Sequence, residues 1–387
     1  MKLAERMSRL GTETAFEVLA KAKALEAQGK EIIHLEIGEP DFNTPKNICE
    51  RAKKAIDEGY THYGPSAGLP QLREAIARYT QKRLGMEIDP DEVVVTPGAK
   101  PIMFFSILAL VNEGDEVIYP NPGFPIYESM INFVGGIPKP IPIREENNFS
   151  IDIDEFKSLF SPKTKLVIIN TPSNPTGGVI PREDLEKMAQ IIKEHDCMVL
   201  SDEVYERMVY EGEHVSISTF PDMKERTIIL NGFSKTYAMT GWRIGWGVMN
   251  KELASQITRL QTNSNSCTSS LIQVAGIEAL EGPQDESEKM IEEFKKRRDI
   301  IVDGLNSIKG FKCLKPSASF YVFPNVKDFG MKSSEFEKFL LEEAGVAALS
   351  GTSFGKYGEG YIRFSYANSI PNIRKALEKI KKAVEKL

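Results

Sequence analysis

Short apolar runs in the middle of the chain alternate with longer stretches of helical periodicity. The runs are rich in β-branched residues, end in small or polar residues, and show no strict alternation of apolar and polar positions. This pattern is typical of strands that are buried on both faces, as in a parallel sheet covered by helices. We therefore predict strands at residues 93–95, 117–119, 166–169, 198–200 and 228–230.

Helical periodicity supplies the connections between these strands. Apolar residues recur three and four positions apart over 99–112 and 182–195, and the same spacing occurs over 45–58 and 69–84. Helices that connect parallel strands must pack on the faces of the sheet. The predicted fold class is therefore α/β, with a large domain in which a mostly parallel central sheet is flanked by helices.

The order of elements changes after residue 280. Helical patterns at 284–308, 333–344 and 371–386 are separated by strand-like runs at 320–323 and 361–365. Strands and helices that are separated in this way are typical of an α+β unit. We predict that a smaller α+β domain follows the large one.

The predicted domain division has three parts. An N-terminal arm and helix, residues 1–45, contains a helical pattern at 13–28 and a strand-like run at 32–37, and we expect it to pack on the small domain. The large domain is predicted at 46–280 and the small C-terminal domain at 281–387.

Composition and charge narrow the classes of function. The 387 residues include 49 Lys and Arg against 55 Asp and Glu, so the formal net charge is −6. A mildly acidic chain without a long basic run argues against nucleic-acid binding through phosphate contacts. The four cysteines are far apart and form no CxxC pair, which argues against a metal site or a disulfide framework.

The sequence shows no signal of a membrane or exported protein. Its longest apolar run, residues 102–111, is about half as long as a bilayer span requires. The first residues include Glu5, Arg6 and Arg9, where a signal peptide needs an apolar stretch. We expect a cytoplasmic protein that binds neither membrane nor nucleic acid.

Chemically useful side chains follow the predicted strands at their carboxyl ends. In open α/β sheets ligands bind beyond these ends, so one cleft can collect all of these side chains. These side chains and amides lie at residues 98–100, 121–124, 174–177, 202–205 and 234–235. Together they supply amides at a helix start, an aromatic ring, a carboxamide, a carboxylate, a phenol and an amine.

The stretch around Lys235 is the most informative about which ligand the cleft binds. Lys235 comes just after a predicted strand, and Arg243 follows eight residues later. A desolvated lysine can lose its proton and act as an amine nucleophile, whereas an arginine can hold a phosphate through two parallel hydrogen bonds. The sequence has neither a Walker-type loop nor a GxGxxG segment after a strand. An amine, a phosphate anchor and a carboxylate in one cleft favour pyridoxal phosphate as the cofactor.

These motifs resemble those of the class I aminotransferases, which belong to the fold-type I superfamily of pyridoxal-phosphate enzymes. The Ser-Lys-x7-Arg-x-Gly stretch that begins at Ser234 is similar to the lysine signature of that family. The resemblance extends over essentially the whole chain, from Gly-Glu-Pro-Asp-Phe at 38–42 to Arg-Phe-Ser-Tyr-Ala at 363–367. Within the family, the sequence is most similar to the aspartate aminotransferase subgroup.

The resemblance implies a role for each residue around the cofactor ring. Lys235 would bind pyridoxal 5′-phosphate covalently and later serve as general base, and Asp202 would pair with the pyridinium nitrogen. Tyr205 and Asn174 would hydrogen-bond the phenolic oxygen of the ring, on which Phe124 would stack. Lys235, Asp202 and Tyr205 are the predicted catalytic residues.

The phosphate of the cofactor would be bound by a separate set of residues. The resemblance implies contacts from Gly98, the amides of Ala99 and Lys100, Ser234 and Arg243. The partner subunit's Tyr63 would also reach this phosphate, so a homodimer with shared active sites is implied.

The substrate would meet a third set of residues. By the same resemblance, Arg363 would bind the α-carboxylate of the substrate, with Asn174 and the Gly38 backbone nearby. Side-chain recognition is expected from Thr12, Thr14, a loop at 259–268 and the residues near Phe354. Arg259 could meet a second carboxylate, although we interpret it as a surface residue.

The predicted function is ping-pong transfer of an amino group from an L-amino acid, best fitted by aspartate, to a 2-oxo acid such as 2-oxoglutarate. An aromatic, alanine or broad-range aminotransferase stays open, as does a lyase, decarboxylase or racemase on the same fold. A non-enzymatic sensor of this fold would carry a DNA-binding domain, and the first 40 residues show no helix-turn-helix pattern.

Overall fold

The computed structural model describes residues 3–387, in which most strands belong to one large sheet. The strands are β1 (Ile33–His34), β2 (Val93–Thr96), β3 (Glu116–Asn121), β4 (Ile137–Pro142), β5 (Thr164–Asn170), β6 (Met198–Asp202), β7 (Thr227–Gly232), β8 (Gly245–Val248), β9 (Tyr321–Val322), β10 (Val346–Ala347), β11 (Leu349–Ser350) and β12 (Ile362–Ser365).

The large sheet has seven strands in the order β2-β8-β7-β6-β5-β3-β4. Every pairing is parallel except the two that β8 makes with its neighbours β2 and β7. The prediction of a mostly parallel central sheet is therefore confirmed. The five predicted strands correspond to β2, β3, β5, β6 and β7.

Two strands of this sheet escaped the sequence analysis because of their composition. Strand β4 contains three prolines, which is tolerated because it lies at the edge of the sheet and needs fewer backbone donors. Strand β8 reads Gly-Trp-Gly-Val, and its glycines obscure the apolar pattern of a strand.

Helices cover both faces of the large sheet and surround the smaller ones. Their bounds are α1 (Ala15–Ala27), α2 (Lys46–Asp57), α3 (Pro70–Leu84), α4 (Lys100–Leu110), α5 (Ile126–Val134), α6 (Ile153–Ser158), α7 (Arg182–Lys193), α8 (Lys251–Asn265), α9 (Ser270–Glu281), α10 (Asp285–Asn306), α11 (Ser333–Phe339) and α12 (Ile370–Val384). A π-helical turn, Leu340–Ala344, continues α11.

The predicted loop at 259–268 is wrong for most of its length, because α8 runs to Asn265. The stretch is rich in Ser, Thr and Asn, which have modest helix propensity. Tertiary burial overrides that propensity, since Leu253, Ile257 and Gln261 lie four residues apart and are buried on one side of the helix.

The central strands bury side chains on both faces, which explains their uninterrupted apolar runs. In β5 and β6, Ile168 and Leu200 belong to the apolar core beneath α4, α5 and α8. Their neighbours Val167, Ile169 and Val199 belong to the core that includes α6 and α7. Successive residues of a strand point to opposite faces, so neither face can be polar here.

The C-terminal part of the chain has its own small sheets and aromatic core. Strands β11, β12 and β9 form an antiparallel sheet, and β1 pairs in parallel with β10. Phe294, Phe320 and Phe364 are fully buried in the core that α10 and α12 enclose. The domain boundaries near residues 45 and 280 stay predictions, and residues 1 and 2 of the predicted N-terminal arm lie outside the described residues.

Two kinds of feature are absent from the described residues. Between residues 3 and 387, no helix combines the length and the apolar character needed to cross a bilayer. The same residues contain no group of three or more His, Cys, Asp or Glu side chains arranged to hold a metal ion.

Candidate active site

A cavity of about 510 Å³ lies beyond the carboxyl ends of β5, β6 and β7, where the large sheet faces the C-terminal sheets. It brings together most of the predicted site residues, which come from separate parts of the sequence. The predicted residues that line it are Gly38, Ala99, Lys100, Phe124, Asn174, Asp202, Tyr205, Ser234, Lys235, Arg243 and Arg363.

Lys235 projects into the cavity three residues after β7 ends. Its Nζ donates a hydrogen bond of 2.6 Å to the carbonyl oxygen of Gly38 and lies 5.9 Å from the ring centroid of Tyr205. Burial of the amine lowers the pKa of Lys235 to about 8, and the positive charge of Arg363 acts in the same direction. A substantial fraction of this amine is therefore neutral near pH 8 and able to act as a nucleophile.

Asp202 is the last residue of β6, and its side chain is buried at the base of the cavity. Its carboxylate accepts a 2.5 Å hydrogen bond from the Tyr127 hydroxyl. Burial raises the pKa of Asp202 to about 6, while the hydrogen bonds from Tyr127 and the Val204 amide oppose the rise. Among residues 3–387 no cationic side chain forms an ion pair with this carboxylate, so its environment fits a cationic group of a ligand.

Arg363 lies on β12 and is only 4% exposed. Its guanidinium donates to Asn174 Oδ1 at 3.1 Å and to the carbonyl oxygen of Glu36. The group lies between two aromatic rings, 4.5 Å from the Tyr321 centroid and 4.7 Å from that of Phe354. Its Nε is buried and has no partner within the described part of the chain, so a donor remains for a bound carboxylate.

The opposite end of the cavity is a cradle of backbone amides and one arginine. Ala99 precedes the start of α4, where the first amides of the helix have no partner within it. A Cβ on Gly98 would collide with the Arg243 guanidinium, and a Cβ on Gly245 would collide with the Ala99 amide. Gly98 therefore lets the arginine approach the helix start closely, and Gly245 lets β8 lie against the Ala99 backbone. Amides and a guanidinium held this close together are suited to binding a phosphate group.

Two tyrosines of the site were missed by the sequence analysis. Tyr127 donates to Asp202, and the Tyr321 hydroxyl lies 2.9 Å from that of Tyr205. Both are fully buried and stand in apolar segments, so in the sequence they look like ordinary core residues. A Cβ on Gly38 would collide with the Tyr321 hydroxyl, which explains a glycine at that position.

The entrance of the cavity carries an ion pair that the sequence analysis also missed. Glu13 and Lys100 line the cavity and form a salt bridge, and Lys100 Nζ lies 5.4 Å from the Phe124 ring centroid. Thr14 also lines the cavity, as Phe354 does, whereas Thr12 does not.

Three further predicted residues lie apart from the cavity lining. Gly98 sits just behind it, against Arg243. Tyr63 is 90% exposed, and its predicted contact with a partner's cofactor is untested. Arg259 is exposed on α8 and lines a different depression, beside Leu108.

Comparison with protein families shows what kind of enzyme this chain is. The model of the family described as aminotransferase class I and II matches residues 30–380. The chain belongs to this family. It is a transaminase, and the prediction of an aminotransferase with pyridoxal phosphate as its cofactor is confirmed.

Individual relatives of this aminotransferase agree with the family. An aspartate aminotransferase of Pyrococcus horikoshii is 42% identical over 99% of this chain and 97% of its own length. An aromatic-amino-acid aminotransferase of Thermococcus litoralis is 39% identical over 100% and 99%. The structure of an aspartate aminotransferase from Thermus thermophilus with maleate has a TM-score of 0.94 and 37% identity, covering 99% of this chain and 100% of that one.

The described residues of the aminotransferase fit pyridoxal phosphate at three points. The buried Asp202 carboxylate suits a protonated ring nitrogen, and the Lys235 amine suits an aldehyde. The cradle of Gly98, Ala99 and Arg243 suits a phosphate. When bound, the cofactor supplies an aldehyde for the amino group and a ring that withdraws electrons from the substrate.

Proposed function

We propose that this aminotransferase transfers the amino group of L-aspartate to 2-oxoglutarate by a ping-pong reaction. The observation that carries the proposal is the presence of Lys235, Asp202 and Arg363 in one cavity, where Asp202 and Arg363 are buried and Lys235 is half-buried. An amine, a carboxylate and a guanidinium in this arrangement can hold a substrate α-carboxylate and move a proton at its Cα.

Lys235 has two successive roles in this proposal. Its neutral amine would hold the cofactor, whose aldehyde would supply a carbonyl for the amino group of the substrate. Once free, the amine would take the proton from the substrate Cα and hold it for the second proton transfer. Its lowered pKa suits both roles, because the amine must be neutral to act as a base.

The groups around Lys235 would orient the reaction. Asp202, held by Tyr127, would keep the ring nitrogen of the cofactor protonated, and Tyr205 and Asn174 would hydrogen-bond its phenolic oxygen. Phe124 would lie against the ring. Arg363 would bind the substrate α-carboxylate through two parallel hydrogen bonds and so fix the direction of the Cα–H bond.

The amides of Ala99 and Lys100, with Ser234 and Arg243, would hold the phosphate. We also propose a homodimer in which the partner subunit's Tyr63 completes this phosphate site. The exposed side chains of Tyr63, Leu3, Met7 and Phe16 support an interface with a second copy of the chain. The four free cysteines support a reduced, cytoplasmic location.

Lys100 supports a substrate with a second carboxylate. Lys235, Arg243 and Arg363 already have other roles, so Lys100 is the remaining cationic side chain of the described cavity lining. A distal carboxylate could exchange with Glu13 for this ammonium group. The names of several relatives point the same way, and maleate, found in the Thermus structure, is itself a dicarboxylate.

An aromatic donor is the second candidate. Phe16, Phe124 and Phe354 line the cavity and offer apolar surface to a substrate ring. Lys100 is paired with Glu13. An aromatic side chain bound beside this pair would therefore not have to remove water from an unpaired charge of Lys100.

The test is a panel of amino donors with the purified holoenzyme, followed through the visible absorbance of the cofactor. We expect aspartate to change the spectrum and to yield its 2-oxo acid, with parallel lines in double-reciprocal plots when 2-oxoglutarate is varied. Intersecting lines would contradict the ping-pong reaction, and faster reaction of phenylalanine than aspartate would favour the aromatic candidate. Product formed over many turnovers without any 2-oxo acid acceptor, beyond one equivalent per active site, would instead indicate a lyase.

A further inference from the structure

We propose that Arg83 is a positioning residue for the reaction. It contacts two buried carboxylates that directly follow the cavity residues Asp202 and Tyr205 in the chain and lie outside the cavity. The two carboxylates belong to Glu203 and Glu206. This inference rests on the roles proposed above for Asp202 and Tyr205.

The chain between residues 202 and 206 presents two different faces. Asp202 and Tyr205 line the cavity, whereas Glu203 and Glu206 do not and are directed towards α3. Arg83 lies in the last turn of that helix, and its side chain is 16% exposed. Its Nη2 donates to Glu203 Oε2 at 2.8 Å, and its Nη1 lies 3.2 Å from Glu206 Oε2.

Glu203 is held by several further groups. Its side chain is fully buried, and it accepts hydrogen bonds from Ser201 at 2.9 Å and from Ser216 at 2.6 Å. The imidazole of His214 lies 3.0 Å from its second oxygen. Burial alone would raise the pKa of Glu203, but the charges of Arg83 and His214 and these hydrogen bonds hold it well below its usual range.

Glu206 links the same arginine to β7, the strand that leads to Lys235. It accepts hydrogen bonds from the Tyr79 hydroxyl and from Asn231 Nδ2, the latter at 3.3 Å. Asn231 belongs to β7 and precedes Lys235 by four residues. Of the described side chains that bond either carboxylate, only Arg83 contacts both.

Removal of the guanidinium would leave two carboxylates buried three residues apart without a shared cation. Such a pair is strongly unfavourable, so one carboxyl would take up a proton or turn away from its partners. Either change would move the backbone that positions Asp202 and Tyr205. It would also alter the field at Asp202, since the negative charge of Glu203 already contributes to the raised pKa of that group.

The experiment compares Arg83→Met with Arg73→Met in the holoenzyme. Arg73 is a matched control, since it lies on the same helix, is 17% exposed, and forms an ion pair with Asp91 outside the cavity. The measurements are the pH midpoint of the visible cofactor band without substrate, the kcat and KM for the best donor of the panel, and the thermal midpoint of unfolding.

We expect both variants to unfold at lower temperature and only Arg83→Met to change the site. Its band midpoint should shift by about half a pH unit or more, because the distribution of charge behind Asp202 changes. Its kcat should fall at least about tenfold, with KM changed less than about threefold, because positioning affects the transition state most. A midpoint or a kcat that matches that of Arg73→Met would overturn the proposal.

A second variant covers the case in which Arg83→Met does not fold. Arg83→Lys keeps the positive charge but cannot bridge two carboxylates with a planar fork. We expect the band midpoint to stay near the wild-type value while kcat falls severalfold. If Arg83→Lys has the same kcat as the unmodified enzyme, the inference about Arg83 is overturned. If the unmodified enzyme itself forms no visible cofactor band or turns over no donor, the proposed function is overturned instead.

Discussion

Two cationic side chains of the cavity lining, Arg363 and Lys100, are held in opposite ways, and we call their surroundings the fixed end and the exposed end. At one end, Arg363 is 4% exposed and is held by Asn174, by a backbone carbonyl and between two aromatic rings. At the other end, the Lys100 side chain is 45% exposed and has Glu13 as its ion-pair partner. The fixed end suits the α-carboxylate that all amino acids share, and the exposed end suits the side chain by which they differ. Long exposed side chains can exchange partners at little cost in free energy, so we propose that the substrate preference is set at the exposed end.

The largest effect is expected from substitution of Lys235, which every substrate would need. Lys235→Ala removes the amine that we propose binds the cofactor and moves the proton, so turnover should fall by about 10²–10⁴-fold or more for every donor. Stopped-flow absorbance of the holoprotein mixed with aspartate and then with phenylalanine measures this loss. Cofactor binding through the phosphate cradle should survive, and near-normal turnover would exclude Lys235 as the base.

The next largest effect is expected at the fixed end. Arg363→Lys loses the two parallel hydrogen bonds to the α-carboxylate, so kcat/KM should fall about 10–100-fold, as for other hydrogen bonds to charged groups. The loss should be similar for aspartate and phenylalanine, since both carry the same α-carboxylate. A loss confined to one donor would show that Arg363 also recognises the side chain.

Substitution of Asp202 tests how much the burial of its charge lowers the free energy of unfolding. Its pKa in the folded protein is raised to about 6 from an ordinary 3.8, so its contribution to stability is present at low pH and is lost as the pH rises through about 6. Asp202→Asn should therefore stabilise the cofactor-free protein by about 1–3 kcal/mol at pH 8 and by less at pH 5. Urea unfolding at the two pH values measures the difference. An equal change at both would show that the carboxylate is not desolvated in the folded state.

The smallest effect is expected at the exposed end. Glu13→Gln frees Lys100 from its ion-pair partner, and an exposed pair of this kind is worth about 0.2–1 kcal/mol. The kcat/KM for aspartate should therefore rise about twofold to fivefold, while that for phenylalanine stays nearly unchanged. Steady-state rates with both donors at fixed 2-oxoglutarate measure the change. A fall with aspartate would mean that Glu13 positions Lys100 rather than competing for it.

The same difference between fixed and exposed groups explains what the sequence could reveal. Strands β5 and β6 were predictable because both of their faces are buried, and the lysine stretch was predictable because its residues are close together in the chain. Strands β4 and β8 were not, since proline and glycine hide their pattern. Residues 259–265 were misassigned to a loop because burial of Ile257 and Gln261 outweighs weak helix propensity.

Residues of the site that depend on tertiary packing were harder to find. Tyr127 and Tyr321 are surrounded by apolar residues in the sequence, and only the fold directs their hydroxyls to Asp202 and Tyr205. Glu13 contacts Lys100 across 87 residues of sequence, so no local pattern could pair them. The roles of these residues and of Tyr63 stay predictions.

One ratio tests most directly whether the cavity has a fixed end and an exposed end. We would measure kcat/KM for aspartate divided by kcat/KM for phenylalanine in the wild type, Arg363→Lys and Glu13→Gln. We predict that Arg363→Lys leaves this ratio within about twofold of the wild type while Glu13→Gln raises it about twofold to fivefold. A ratio that shifts in Arg363→Lys and stays constant in Glu13→Gln would contradict the division, and substrate preference would then be set at the Arg363 end.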